Sequence, residues 1–92
     1  GGVGVISVAA NVEPGRMVRM YESFCEGRYD EAISLHYELS PLFRVLFIDT
    51  NPIPVKKAVE LRGMAAGPLR LPLEELDETK TSQVAEVLSR YD

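Results

Sequence analysis

An α/β fold is predicted by this 92-residue sequence, with one strand followed by four helices. Three observations carry that reading. The first is the run Val5-Ile6-Ser7-Val8-Ala9-Ala10 in the opening stretch GGVGVISVAANVEPG. It is short, almost continuously apolar and rich in β-branched residues, the pattern of a strand buried on both faces inside a parallel sheet. The second is a series of four segments with apolar residues at helical spacing, bounded by glycine, proline or a capping aspartate. The third is that a single buried strand is not a stable architecture. The strand and the helix after it therefore read as the last βα unit of an α/β protein, followed by a helical extension. The backbone groups of residues 3–10 need a strand on either side, because leaving them buried and unpaired costs about 1–3 kcal/mol each. Without those strands the segment is expected to pair with another chain or to lose its strand conformation.

The first helix opens at Pro14, whose missing N–H is no loss in a first turn. Met17, Met20, Tyr21 and Phe24 form its apolar stripe, and Arg16, Arg19, Glu22 and Ser23 take the other side. Gly27 stops it. The second helix starts near Tyr29-Asp30 and carries Ala32, Leu35, Leu39, Leu42, Phe43 and Leu46 on one face. Ile33, Tyr37, Val45 and Phe47 widen that face, which predicts burial on more than one side. Pro41 should end the helix by the simple rule. The stripe keeps its phase across it, so the helix is expected to continue with a kink. Pro54 begins a third helix with Val55, Ala58, Val59 and Arg62 at helical spacing and Gly63 as its stop. Residues 64–76 read as an ordered loop whose four leucines lie against the helices. Asp77 caps a fourth helix with Val84, Val87, Leu88 and Tyr91 inward.

Composition narrows the function. The net charge is −4 and the only basic cluster is Lys56-Lys57, which argues against nucleic acid as a partner. No apolar run approaches the roughly 20 residues of a membrane helix, and no charged region precedes the first apolar run as in a secretory signal. One cysteine, Cys25, excludes an internal disulfide and suits a reducing, cytoplasmic setting. Cys25 is expected to be a small buried hydrophobe, and His36, the only histidine, a packed or half-exposed helix residue. A metal site is not expected, since no second His or Cys shares the load.

Residues 4–8 (GVISV), residues 51–56 (NPIPVK) within the longer run LHYELSPLFRVLFIDTNPIPVKKAVELRG, and LRLPL after it resemble the C-terminal third of the dihydrodipicolinate synthase family. The resemblance extends over essentially the whole chain. It implies a (β/α)8 TIM barrel with a C-terminal helical domain. Residues 1–27 would be the last βα unit of that barrel, with the eighth strand at residues 2–10, and residues 28–92 the helical domain. It also implies an enzyme that condenses pyruvate with aspartate semialdehyde to 4-hydroxy-tetrahydrodipicolinate in lysine biosynthesis. Pyruvate is held there as a Schiff base on a barrel lysine activated by a tyrosine, and no separate cofactor is needed. Such a lysine works because burial lowers the pKa of its amine. The implied assembly is a homo-oligomer, dimer or tetramer, in the cytoplasm.

None of the family's catalytic positions falls within this chain. Lys56, Lys57 and Lys80 match no catalytic motif and read as solvated surface charge. One substrate-binding residue carries over by resemblance: Ile6, whose backbone contacts the bound keto acid. That suits a barrel, in which active sites sit at the C-terminal ends of strands. Ile6 equally reads as an apolar residue lining the barrel. Gly1, Gly2 and Gly4 permit close backbone approach and receive no chemistry. The sialic-acid lyase branch of the same superfamily carries hydroxyl residues where this strand has Val5-Ile6, which favours the synthase. A related sugar-acid or keto-acid aldolase is the alternative, and a non-catalytic helical assembly module is another. The chain alone is expected to be inactive.

Overall fold

The computed structural model describes residues 1–91. Four helices make up its body: α1 (Pro14–Cys25), α2 (Tyr29–Val45), α3 (Ile53–Leu61) and α4 (Glu78–Leu88). Short 3-10 turns at Ala9–Asn11 and Ser89–Tyr91 flank them. Among the described residues there is no strand: the α/β expectation concerns the whole barrel, and this chain by itself is helical, as expected of a segment without its partner strands. The physical reason is the one anticipated for an unpaired segment. From Gly2 to Ile6 the Val3 carbonyl alone finds a partner, and Val3, Val5 and Ile6 stand in solvent. The remaining backbone groups of this exposed segment find no partner within the chain, so nothing holds a ladder together.

The helices start and stop where residue chemistry dictates. Gly27 (φ 79°) and Gly63 (φ 83°) follow α1 and α3 in the left-handed conformation that a side chain resists. Each is closed by a bond reaching back five residues, Arg28 N–H to the Ser23 carbonyl (2.8 Å) and Met64 N–H to the Val59 carbonyl (3.1 Å). Asp77 caps α4, its Oδ1 accepting from the Lys80 N–H at 2.8 Å. Replacing Asp77 with alanine should lower stability by about 1 kcal/mol, while Asp77→Asn should keep most of it. Equal urea midpoints for Asp77→Ala and the parent would show that the cap contributes nothing.

Pro41 lies inside α2, which runs on to Val45 as expected. A proline within a helix costs about 3 kcal/mol. Leu39 and Leu42, on either side of it, have no exposed surface, and burying each contributes roughly 1.5–3 kcal/mol. The two leucines together offset the proline, provided the helix keeps their phase.

The core gathers Leu39 and Leu42 from the second half of α2 and Leu46 just after it with Ala58, Val84 and Leu88 from α3 and α4. The loop at 64–76 lies partly on it: Leu76 is buried and Leu69 and Leu73 are half-buried, but Leu71 is exposed. Lys80 Nζ reaches Asp49 Oδ2 at 3.0 Å, tying α4 to the connection between α2 and α3. That carboxylate is held below the usual range, first by the Thr50 N–H and then by Lys80.

Several side chains face differently from the expectation. Ser23, assigned to the polar side of α1, is completely buried. Arg16, assigned to the same side, is half-buried and bonds Glu38 of α2. The inner face of α1 is therefore rotated away from the stripe that hydrophobicity marks, and Tyr21 and Phe24 of that stripe are exposed. Of the residues expected to widen the buried face, Val45 is buried, but Ile33 and Tyr37 on α2 and Phe47 just beyond it are exposed, so burial on more than one side is not achieved. Cys25 and His36 are exposed too, not buried or half-buried. Apart from Phe47, the residues that face differently from the expectation belong to α1 or to the N-terminal half of α2, away from the leucines of the core. The Cα radius of gyration is 14.2 Å and the longest dimension 43 Å. A closed domain of this length has a radius near 12 Å, roughly. The extra length fits a partial domain.

Candidate functional site

Ile6, the residue assigned to substrate, sits in the irregular opening segment and is fully exposed. A Cβ on Gly1, Gly2 or Gly4 would meet nothing within 4 Å, so no close approach occurs there. The segment is tethered to α1 through Tyr21, whose Oη donates to the Val3 carbonyl at 2.8 Å. The neighbouring Cys25, one turn further on, pushes the Tyr21 phenol up.

Between this segment, α1 and the start of α2 lies an open apolar groove of about 620 Å³. Val5, Met20, Phe24, Ile33 and Tyr37 are among its walls, and His36 is its one titratable nitrogen base. His36 stacks edge-on to Tyr37, with ring centroids 5.5 Å apart, and lies 6.1 Å from Phe43. A pocket of this composition suits an apolar surface. It offers no nucleophile beside a base, the arrangement that covalent catalysis needs.

Polar groups converge elsewhere, at the start of α1. Glu13 stands in the N-cap position of α1 but does not cap it. Its carboxylate instead accepts from Arg16 Nη1 on one oxygen and from Arg62 Nη2 on the other, the latter at 3.1 Å. Arg16 Nε donates to Glu38 Oε1 at 2.8 Å, and its guanidinium lies 5.3 Å from the centre of the Tyr91 ring. The Tyr91 Oη in turn donates to the Glu38 carbonyl at 2.6 Å. Glu38 first and Glu13 second raise the Arg16 pKa further, and burial raises that of the Tyr91 phenol. Both oxygens of Glu13 are engaged, so it is not free to act as a base. What the cluster does is fasten the turn after the opening segment to α2, α3 and the C-terminal turn.

Sequence reasoning missed this cluster as a unit. Arg62 carried the available signal: a cation on the inner stripe of α3, which needs an anion brought to it. The lysines were expected to be solvated surface charge. Lys56 Nζ donates to the Pro68 carbonyl (2.9 Å), Lys57 pairs with Glu60 (3.3 Å) and Lys80 with Asp49, and all three are half-buried rather than freely solvated. Among the described residues no three His, Cys, Asp or Glu side chains are placed to hold a metal ion. No helix among them is long and apolar enough to cross a membrane.

The dihydrodipicolinate synthetase family model matches residues 1–91. The chain belongs to the dihydrodipicolinate synthetase family. It is 73% identical to the 4-hydroxy-tetrahydrodipicolinate synthase of Methanosphaerula palustris over all 92 residues, which are 32% of that relative. It is 65% identical to the synthase of Archaeoglobus fulgidus over 88 residues, 96% of this chain and 30% of that one. Dihydrodipicolinate synthase from Aquifex aeolicus superposes with a TM-score of 0.94 at 45% identity, covering 99% of this chain and 31% of that chain. The Thermotoga maritima enzyme gives 0.93 at 42% identity, covering 97% and 30%. The solved dihydrodipicolinate synthases are TIM-barrel enzymes. The chain thus spans about a third of the length of the curated relatives it matches. With this much of the chain superposed, the helical arrangement is that of the family.

Proposed function

We propose that this chain is the C-terminal portion of a 4-hydroxy-tetrahydrodipicolinate synthase, which condenses pyruvate with aspartate semialdehyde through a Schiff base on lysine. The observation that carries the proposal is the 73% identity to a synthase of that name along the full chain. The resemblance of GVISV at 4–8 and NPIPVK at 51–56 to the C-terminal third of the family supports that placement. On this reading residues 1–27 complete a barrel as its last βα unit, and residues 28–92 form the helical domain appended to it. Ile6 then regains strand geometry between two neighbours and offers its backbone to the keto acid. The barrel lysine and the activating tyrosine lie in the rest of the protein. The relatives at 73% and 65% identity are named as this synthase, which favours it over a sugar-acid or keto-acid aldolase.

Borohydride reduction of the full-length protein with pyruvate should leave a stable adduct on one lysine, detectable by intact mass. Failure of active full-length protein to form that adduct would sink the assignment. The 92-residue chain alone should show neither adduct nor turnover, because binding groups without the nucleophile cannot form the covalent intermediate. Turnover by the purified chain, free of host enzyme, would overturn its assignment as a non-catalytic portion.

A further inference from the structure

The turn that follows the opening segment is held in place by the helices alone. Residues 1–6 are exposed, yet Ala9 and Val12 are each only 4% exposed and belong to the core cluster. Around these two residues the chain is tightly wound. The Asn11 N–H and its side-chain Nδ2 both donate to the Val8 carbonyl, at 3.1 and 3.0 Å. The Val12 and Glu13 N–H groups both donate to the Ala9 carbonyl, at 3.0 and 2.9 Å. Next to Ile6, the Ser7 Oγ accepts from the Ala10 N–H at 3.3 Å. Glu13 ends the turn, and it occupies the N-cap position of α1 without capping it. Its carboxylate goes instead to Arg16 of α1 and to Arg62 at the end of α3. Arg62 belongs to residues 28–92, so this pair joins the turn directly to the helical portion.

We propose that Glu13 and Arg62 are positioning residues for the keto acid: they hold the turn at residues 8–12 and thereby set where Ile6 offers its backbone to substrate. The proposal rests on the reading of this chain as part of a pyruvate-dependent synthase, with residues 2–10 as a barrel strand. Substrate groups of a barrel lie at the C-terminal ends of its strands, and here that end runs straight into the turn. Neighbouring strands fix the middle of a strand. Its last residues are fixed by whatever anchors the chain beyond them. Two anchors are in place, the apolar one at Ala9 and Val12 and the ionic one between Glu13 and Arg62. The ionic anchor can be weakened at nearly constant volume by Glu13→Gln, which leaves the apolar one intact. A misplacement of about 1 Å can cost roughly 100-fold in rate, so partial loosening with Ala9 and Val12 still buried should cost about 10-fold. Neither Glu13 nor Arg62 touches the keto acid or the reacting lysine. The loss should therefore fall on substrate binding and leave the chemical step nearly unchanged.

Steady-state kinetics on the full-length protein and its Glu13→Gln, Arg62→Met and Arg62→Lys variants test this. In Glu13→Gln and Arg62→Met the KM for pyruvate should rise about 10-fold, with kcat changed less than about 3-fold. Arg62→Lys keeps a cation within reach of Glu13 and should recover most of the loss. Combining Glu13→Gln with Arg62→Met should add little to either alone, because both remove the same link. Asp77→Ala is the control for lowered stability, since it weakens α4 and should leave the KM where it was. Hydrogen exchange at the amides of Asn11, Val12 and Glu13, measured without pyruvate, should quicken about 10-fold in Glu13→Gln. An unchanged KM in folded Glu13→Gln or Arg62→Met would overturn the proposal, as would unchanged exchange at the turn. A KM raised equally by Asp77→Ala would also overturn it and assign the effect to stability. Should Glu13→Gln fail to fold, the contrast between Arg62→Met and Arg62→Lys decides in its place. Absence of a borohydride-trapped adduct on the parent protein would reject the synthase reading itself. An adduct on the parent with the KM unmoved in the variants would reject the positioning role alone.

Discussion

Leu42→Ala should destabilise the protein by about 2–5 kcal/mol, and Leu39→Ala by a similar amount. Neither side chain has any exposed surface, and both belong to the cluster that joins α2 to α3 and α4. Truncation removes the transfer free energy of three carbon atoms and leaves a cavity. The neighbours are helix residues on three different elements, which limits how far the cavity can collapse. Small domains have only about 5–15 kcal/mol of stability in total, so the loss is a large part of it. Urea denaturation followed by circular dichroism measures the loss, with an unchanged slope showing that the unfolded state is the same. A change below about 0.5 kcal/mol at both positions would show that the α2 stripe is not the core. Ile33→Ala is the control: Ile33 is 54% exposed in this chain, so its truncation should cost little here.

The second large effect is expected at Glu13. Glu13→Ala should cost about 1.5–3 kcal/mol, the range for hydrogen bonds to charged groups. The carboxylate is only 12% exposed and holds two arginines, Arg16 and Arg62, that are 26% and 24% exposed. Removing it leaves two poorly hydrated cations facing each other across the vacated site. The cost stays below the 3–5 kcal/mol of a fully buried broken pair, roughly, because both arginines keep some access to water and Arg16 retains Glu38. Surface pairs such as Arg19–Glu31 and Arg90–Glu86 should contribute well under about 1 kcal/mol and fade with salt. A double-mutant cycle of Glu13→Ala with Arg62→Ala should give a coupling above about 0.5 kcal/mol. Additive losses would mean that the pair does not hold α3 to the turn at the start of α1.

The positions of α1, α2, α3 and α4 were legible in the residues because the signals that place them are local. Pro14 opens a helix and Gly27 closes it. Asp77 caps the helix that follows it, and the leucines of α2 hold their period through Pro41. Each of these depends on neighbours within a turn or two, whatever the rest of the molecule does. The membership in the dihydrodipicolinate synthetase family was legible for a similar reason, since GVISV and NPIPVK are contiguous words. The strand at residues 3–10 was different. Its apolar run states a preference for a sheet interior, but a strand exists only through hydrogen bonds to other strands, and this chain supplies none. Which side of α1 faces inward was only partly decided by periodicity. That helix has one apolar stripe, and the tertiary arrangement kept Met17 and Met20 of it against the core, turned Arg16 and Ser23 inward beside them and left Tyr21 and Phe24 in water. The Glu13–Arg16–Arg62 cluster joins residues 49 positions apart, from Glu13 to Arg62. Glu13 and Arg16 are three residues apart, but nothing local brings Arg62 to them, and only the packing of α3 beside the start of α1 completes the cluster.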